Sequence, residues 1–168
     1  MSNSSMIFII GFMGSGKSTL GKTLSHTLGF EFIDMDEWIA NRACKTIPEI
    51  FAQDGDAAFR ALEQECLHHL MHKENMVVAT GGGTPCYFDN MELMLEIGEV
   101  VFLNLNEEVL INRLREEQTQ RPLIADKSEA DLRKTVNQLL QERLPFYKQA
   151  SITINETVSL DELLQKLS

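Results

Sequence analysis

The chain of 168 residues has room for one domain with a substantial core, and 43% hydrophobic against 24% charged residues is the balance of a soluble globular protein. Its formal net charge of −10 argues against a surface built to grip nucleic acid, which needs dense Lys and Arg to displace counterions. The three cysteines, Cys44, Cys66 and Cys86, are far apart and form no C-x-x-C pair, so a reducing cytoplasm fits better than a disulfide-framed secreted fold.

The chain begins Met-Ser-Asn-Ser-Ser, without the basic residues of a leader. The apolar run that follows at 6–10 stops at Gly11, too short for a signal peptide or a membrane span. That run is predicted to be a strand. It delivers G-F-M-G-S-G-K-S-T from Gly11 to Thr19, a complete G-x-x-x-x-G-K-[ST] phosphate loop, and a helical pattern follows at 16–28. Strand, glycine-rich loop and helix N-terminus together present backbone N–H groups to a polyphosphate. Gly14, Ser15, Gly16, Lys17, Ser18 and Thr19 are therefore expected to hold a nucleoside triphosphate. Lys17 is placed to reach the β- and γ-phosphates, and the Ser18 hydroxyl to hold Mg²⁺.

Further strands are expected at 30–33, 76–79, 100–104 and 152–154, with helices at 37–42, 48–52, 57–71, 88–95, 107–117, 129–144 and 160–167. Short apolar runs alternating with helices predict a five-stranded parallel sheet covered on both faces, a three-layer α/β/α fold. Ligands then sit beyond the carboxyl ends of the strands. After the second strand come Asp34 and Asp36, which in an extended segment project to the same side. One can orient water on Mg²⁺ while the other faces a phosphoryl acceptor; alternatively Asp36 caps the following helix. After the third strand, Gly81, Gly82 and Gly83 expose bare backbone to a ligand.

The segment 118–127 breaks both periodicities; a polar loop between helices is commonly a connector, and in a phosphate-transfer protein it is also where a closing lid is expected. Arg60 and Arg143 fall on predicted helices, and spacing alone reads them only as surface arginines. His68, His69 and His72 lack both the H-E-x-x-H pattern and a cysteine at metal-ligand spacing, so no metal role is assigned to them. Met91, Met94 and Leu95 are expected in the core.

Taken together, the ordered motifs resemble the shikimate kinase family over nearly the whole chain. They are G-F-M-G-S-G-K-S-T-L-G at 11–21, F-I-D-M-D at 32–36, I-F at 50–51 with F-R-A-L-E at 59–63, G-G-G at 81–83, R-P-L at 121–123 and R-L-P-F-Y at 143–147. The resemblance implies a P-loop kinase that uses ATP and Mg²⁺ to phosphorylate the 3-hydroxyl of shikimate, a step toward chorismate and the aromatic amino acids. It further implies one cytoplasmic, monomeric domain over 1–168, with a lid near 112–127 and a shikimate-binding region near 34–62. Lys17, Asp36 and Arg121 carry the catalysis in this view, with Ser18 on Mg²⁺ and Asp34 on it through water. Asp36 binds the substrate hydroxyls, Arg60 and Arg143 clamp the carboxylate, and Gly81, Gly82 and Gly83 supply backbone contact. Arg113 stacks on adenine, although Arg115 competes because the interval from Arg113 to Arg121 is one residue longer than the family's usual spacing. Cys44 and Asp56 stand where Gly and Glu are more usual.

Three rival readings remain on the sequence. Another P-loop small-molecule or nucleotide kinase would need a different acceptor site. A GTPase switch would carry an N-K-x-D motif, which does not occur here. A silent nucleotide-binding module would have lost Lys17, Asp36 or Arg121, and all three are present.

Overall fold

The alternating apolar residues of β1 (Met6–Ile10) divide between two faces of a sheet. Met6, Phe8 and Ile10 enter one buried cluster, and Ile7 and Ile9 enter another. The computed structural model describes residues 6–118, 121 and 123–168. β2 (Glu31–Asp34), β3 (Met76–Ala79), β4 (Glu99–Leu103) and β5 (Ile152–Ile154) join β1 in the order β2-β3-β1-β4-β5. All four pairings are parallel, with Phe8 flanked by Val78 and Val100 at the centre.

Helices cover both faces. α1 (Lys17–Leu28) and α8 (Leu160–Leu167) bring Leu24 and Leu163 to the cluster around Ile7 and Ile9. On the other side α4 (Asp56–Leu70), α5 (Asn90–Ile97), α6 (Glu107–Glu117) and α7 (Glu129–Tyr147) contribute Leu67, Met94, Leu110 and Val136. α2 (Met35–Ala43) and α3 (Ile47–Gln53) pack on α4 through a third cluster of Ile39, Ile50 and Phe59. No helix among the described residues is long and apolar enough to cross a membrane.

The expected layers and strands are present, with informative shifts at the joints. α2 begins at Met35 rather than at 37, because Asp34 caps it by accepting from the N–H groups of Asp36 and Glu37. Asp36 therefore stands in the first turn of a helix, not on an extended strand, and the capping role suggested for it belongs to Asp34. α5 begins at Asn90 rather than at 88, since Phe88 holds a left-handed φ of +51°. Leu95, expected in the core, is 38% exposed, while Met91 and Met94 are buried. α7 continues through Pro145 to Tyr147. Residues 112–117 of the expected lid belong to α6, and 119, 120 and 122 lie outside the described residues. The loop is also not free of apolar anchors, because Ile124 is fully buried.

The parallel arrangement brings the ends of β1, β2 and β3 to one edge of the sheet. Thr80 ties two of them together, its N–H and its hydroxyl each donating to the Ile9 carbonyl at 3.1 Å. Packing of α1 on the sheet sets where the phosphate loop points, and Leu24 is the fully buried residue at that contact. Leu24→Ala should lower the unfolding free energy by about 2–5 kcal/mol in urea denaturation. A loss well under about 1 kcal/mol would show that packing of this face does not hold α1.

Candidate active site

The phosphate-binding half grows from the end of β1. Gly14 and Gly16 take φ of +74° and +94°, left-handed values that a Cβ would strain. Gly16 caps α1 without a side-chain hydrogen bond, and no acidic residue stands in the helix's first turn. The positive end of α1 is thus left for an anion. Lys17, Ser18 and Thr19 line a cavity there of about 340 Å³. Lys17 folds back on its own loop, donating to the carbonyls of Gly11 at 3.0 Å and Phe12 at 2.9 Å. Burial pushes its ammonium down to about 8, against the opposing pull of Asp36. Ser15 is buried, and its N–H is used within the turn, donating to the Phe12 carbonyl at 3.2 Å.

Two arginines were open for contact with the base, and they part ways. Arg113 lies on the loop, donating to the carbonyls of Gly14 and Ser15 at 3.2 Å each. Arg115 turns to Glu129 at 2.6 Å. Of the two, Arg113 lines the cavity at the start of α1. Arg121 also lines it, and is held by Glu117 through Nε at 3.0 Å and Nη2 at 2.6 Å.

Ser18 donates its hydroxyl proton to the Asp34 carboxylate, whose second oxygen caps α2. Hydroxyl and carboxylate oxygens are hard donors that suit Mg²⁺. Among the described residues no three His, Cys, Asp or Glu gather into a metal cage. The pair therefore fits an ion that keeps most of its ligands as water and phosphate oxygen.

A second cavity, of about 120 Å³, adjoins the first. Asp36, Gly81, Gly82 and Arg121 line both. Asp36 faces the two cavities, and the protein packed around it together with neighbouring Asp34 raises its carboxyl, against the pull of Lys17 and Arg121. Phe51 and Phe59, 4.7 Å apart, form part of an apolar wall. Arg60 and Arg143 supply positive charge from α4 and α7. Neither is a surface arginine: they are 4% and 6% exposed.

Those arginines explain the three glycines. A Cβ on Gly83 would lie 2.6 Å from Arg60 Nη1, and one on Gly82 would lie 3.0 Å from Arg143 Nη1. One on Gly81 would lie 2.5 Å from Glu63 Oε1. The backbone is bare first of all so that protein side chains can press against it. Glu63 is fully buried, accepts from Arg60 Nη1 at 2.8 Å and from the Thr84 hydroxyl at 2.6 Å, and has its carboxyl raised by burial against the pull of Arg60. Tyr147 donates its hydroxyl to the Gly82 carbonyl. Arg60 Nε and Arg143 Nη1 are buried donors with no hydrogen-bond partner among the described residues, Nε having only a 3.4 Å ion-pair approach to Asp56.

The sequence reading assigned no role to Glu63, Thr84, Tyr147, Tyr87 or Glu117. For Glu63 a signal existed, since Arg60 and Glu63 stand at i and i+3 on one helix and face each other there. His68, His69 and His72 are exposed and play no part in either cavity. The site can thus seat a polyphosphate on one side and a small anion on the other, with Asp36 between them.

The chain matches the family model described as "SKI: Shikimate kinase" over residues 13–167. It is similar to a shikimate kinase of Bacteroides thetaiotaomicron, 46% identical over 149 residues that cover 89% of this chain and 85% of that protein. A shikimate kinase of Phocaeicola vulgatus is 47% identical over 144 residues, 86% of this chain and 82% of that one. Among solved structures, the shikimate kinase of Acinetobacter baumannii in complex with shikimate superposes with a TM-score of 0.87 at 32% identity, covering 96% of this chain and 89% of that one.

The lowered value of Lys17 gives the phosphate site a definite pH dependence. Its charged form attracts a polyphosphate, so affinity is present below about 8 and is lost as pH rises through that value. Calorimetric titration of ATP between about pH 7 and 10 should show this decline well before an ordinary lysine would titrate. A flat profile across that range would mean that Lys17 is not the charge that holds the nucleotide.

Proposed function

The chain belongs to the shikimate kinase family, and on that premise we propose that it transfers the γ-phosphoryl group of ATP to the 3-hydroxyl of shikimate, feeding chorismate and aromatic amino acid synthesis. The observation that carries this reading is a pair of buried arginines, Arg60 and Arg143, each with one guanidinium N–H unpartnered among the described residues, lining a cavity that meets the phosphate cavity at Asp36. A small acid with hydroxyls at its far end satisfies both donors and presents a hydroxyl to Asp36. The guanidinium forks of Arg60 and Arg143 suit a carboxylate. They hold a group remote from the reacting atom and so orient the acceptor.

In the transfer, the 3-hydroxyl oxygen bonds to the γ-phosphorus as the bond to the leaving β,γ-bridging oxygen breaks, giving shikimate 3-phosphate and ADP. Asp36 aligns the hydroxyl and takes its proton, a task for which its raised carboxyl suits it. Lys17, the loop N–H groups and Arg121 face the spreading negative charge. To do so, Arg121 exchanges Glu117 for phosphate as its loop closes. Mg²⁺ held by Ser18, and by Asp34 through water, would supply neutralisation across the β- and γ-phosphates. Arg113 is the residue we assign to the adenine side. We read the protein as a monomer in a reducing cytoplasm, where its three free thiols are expected.

An ADP-release assay with shikimate, quinate, gluconate and nucleoside monophosphates tests the assignment, and turnover should be confined to shikimate or greatest with it. Preference for a neutral sugar or a nucleotide would overturn it. Removing one partner of a desolvated charge pair costs about 2–5 kcal/mol, so Arg143→Ala should lower kcat/KM for shikimate at least roughly thirtyfold. Shikimate methyl ester should be a poor substrate and nearly indifferent to the same substitution. Arg143→Lys should rescue only in part, since an ammonium lacks the planar fork. Equal losses for acid and ester would assign Arg143 to structure instead.

A further inference from the structure

Arg60 is held from several sides, and one of its neighbours belongs to no motif identified in the sequence. Its Nη1 donates to Glu63 at 2.8 Å and its Nε approaches Asp56 at 3.4 Å. The main chain of Gly83 presses against it, leaving no room for a Cβ at 2.6 Å from Nη1 and 3.0 Å from Cζ. The Tyr87 ring stands over it, with its centroid 4.1 Å from Cζ, closer than Phe59 at 5.2 Å. Tyr87 is itself 36% exposed while the arginine is 4% exposed, so the ring lies at the surface and the guanidinium beneath it.

The backbone around Tyr87 bends sharply. Tyr87 is extended and ends the short 3-10 turn Thr84–Cys86 that leaves the triple glycine. The next residue, Phe88, holds φ at +51° and is 63% exposed. A bulky residue in the left-handed region is uncommon and strained. The bend sends one aromatic ring onto Arg60 and the next into solvent.

We propose that Tyr87 is a positioning residue that fixes the guanidinium of Arg60 through its ring face and thereby sets the preference for an acidic over a neutral acceptor. The inference rests on the proposed role of Arg60 as a carboxylate-binding arm. A cation under an aromatic face is attracted by the ring quadrupole and shielded from water. Water exclusion in turn strengthens the attraction between the guanidinium and an incoming carboxylate. Tyr87 touches neither the reacting hydroxyl nor the nucleotide cavity, so its effect should fall on binding of the acid.

The test compares shikimate with its methyl ester in wild type, Tyr87→Ala, Tyr87→Leu and Tyr87→Phe. Tyr87→Ala should raise KM for shikimate about three- to tenfold, an intermediate value for a cation–π contact between its exposed and desolvated limits. KM for ATP and for the ester should stay within about twofold. Tyr87→Phe should restore the wild-type KM for the acid, because the ring face rather than the hydroxyl acts. Tyr87→Leu, which covers Arg60 without a π face, should not. If Tyr87→Ala leaves KM for the acid unchanged, raises acid and ester alike, or is rescued equally by Leu, the positioning role is overturned. If wild type itself fails to distinguish acid from ester, the carboxylate reading falls first and this inference falls with it.

Discussion

A guanidinium taken out of water must be compensated, and this fold takes two of them out beside one cavity. Arg60 and Arg143 are 4% and 6% exposed, and the desolvation each suffers would unfold a poorly matched site. Arg60 meets its requirement through Glu63, whose other oxygen is bound by Thr84. Arg143 packs near Phe12, 5.4 Å from the ring centroid, and against the backbone of Gly82. Tyr147 fixes that same backbone by donating to the Gly82 carbonyl. The triple glycine answers this demand, since a Cβ at Gly81 or Gly83 would strike Glu63 or Arg60 and one at Gly82 would crowd Arg143 at 3.0 Å.

The same constraint joins the two halves of the site. The glycines leave the end of β3, and Thr80 ties that end to β1, from which the phosphate loop departs. Displacement of Arg60 or Arg143 would therefore be transmitted to the wall that the two cavities share. Electrostatics works in the same direction. The chain carries a formal net charge of −10, so an approaching anion meets repulsion everywhere except where cations are concentrated. Lys17, Arg113 and Arg121 line the larger cavity, and Arg60, Arg143 and Arg121 the smaller one, with Asp36 lining both.

Much of this was legible from the residues because it depends on local pattern. Short apolar runs located β1, β3 and β5 at their observed bounds, and the spacing of glycine, lysine and serine located the loop between β1 and α1. Errors arose where a side chain decides a boundary. Asp34 turns back to cap α2, which moves Asp36 from a strand onto a helix, and no periodicity reports that choice. Spacing reads Arg60 and Arg143 as surface residues because groups packed over them come from distant points of the chain: Gly83 and Tyr87 for one, Phe12 and Gly82 for the other. Ile124 gave no sign of its anchoring role, since the short run Leu123-Ile124-Ala125 in a polar loop has no period to single it out. Motif resemblance supplied roles for the two arginines that spacing could not.

The central claim is that two buried guanidinium N–H groups await one carboxylate. A crystal structure of the protein with ADP and shikimate tests it most directly. The account predicts the carboxylate paired with Arg60 and with Arg143, engaging Arg60 Nε and Arg143 Nη1, with the 3-hydroxyl against Asp36. A carboxylate bound elsewhere, with those two donors still unpaired, would contradict it.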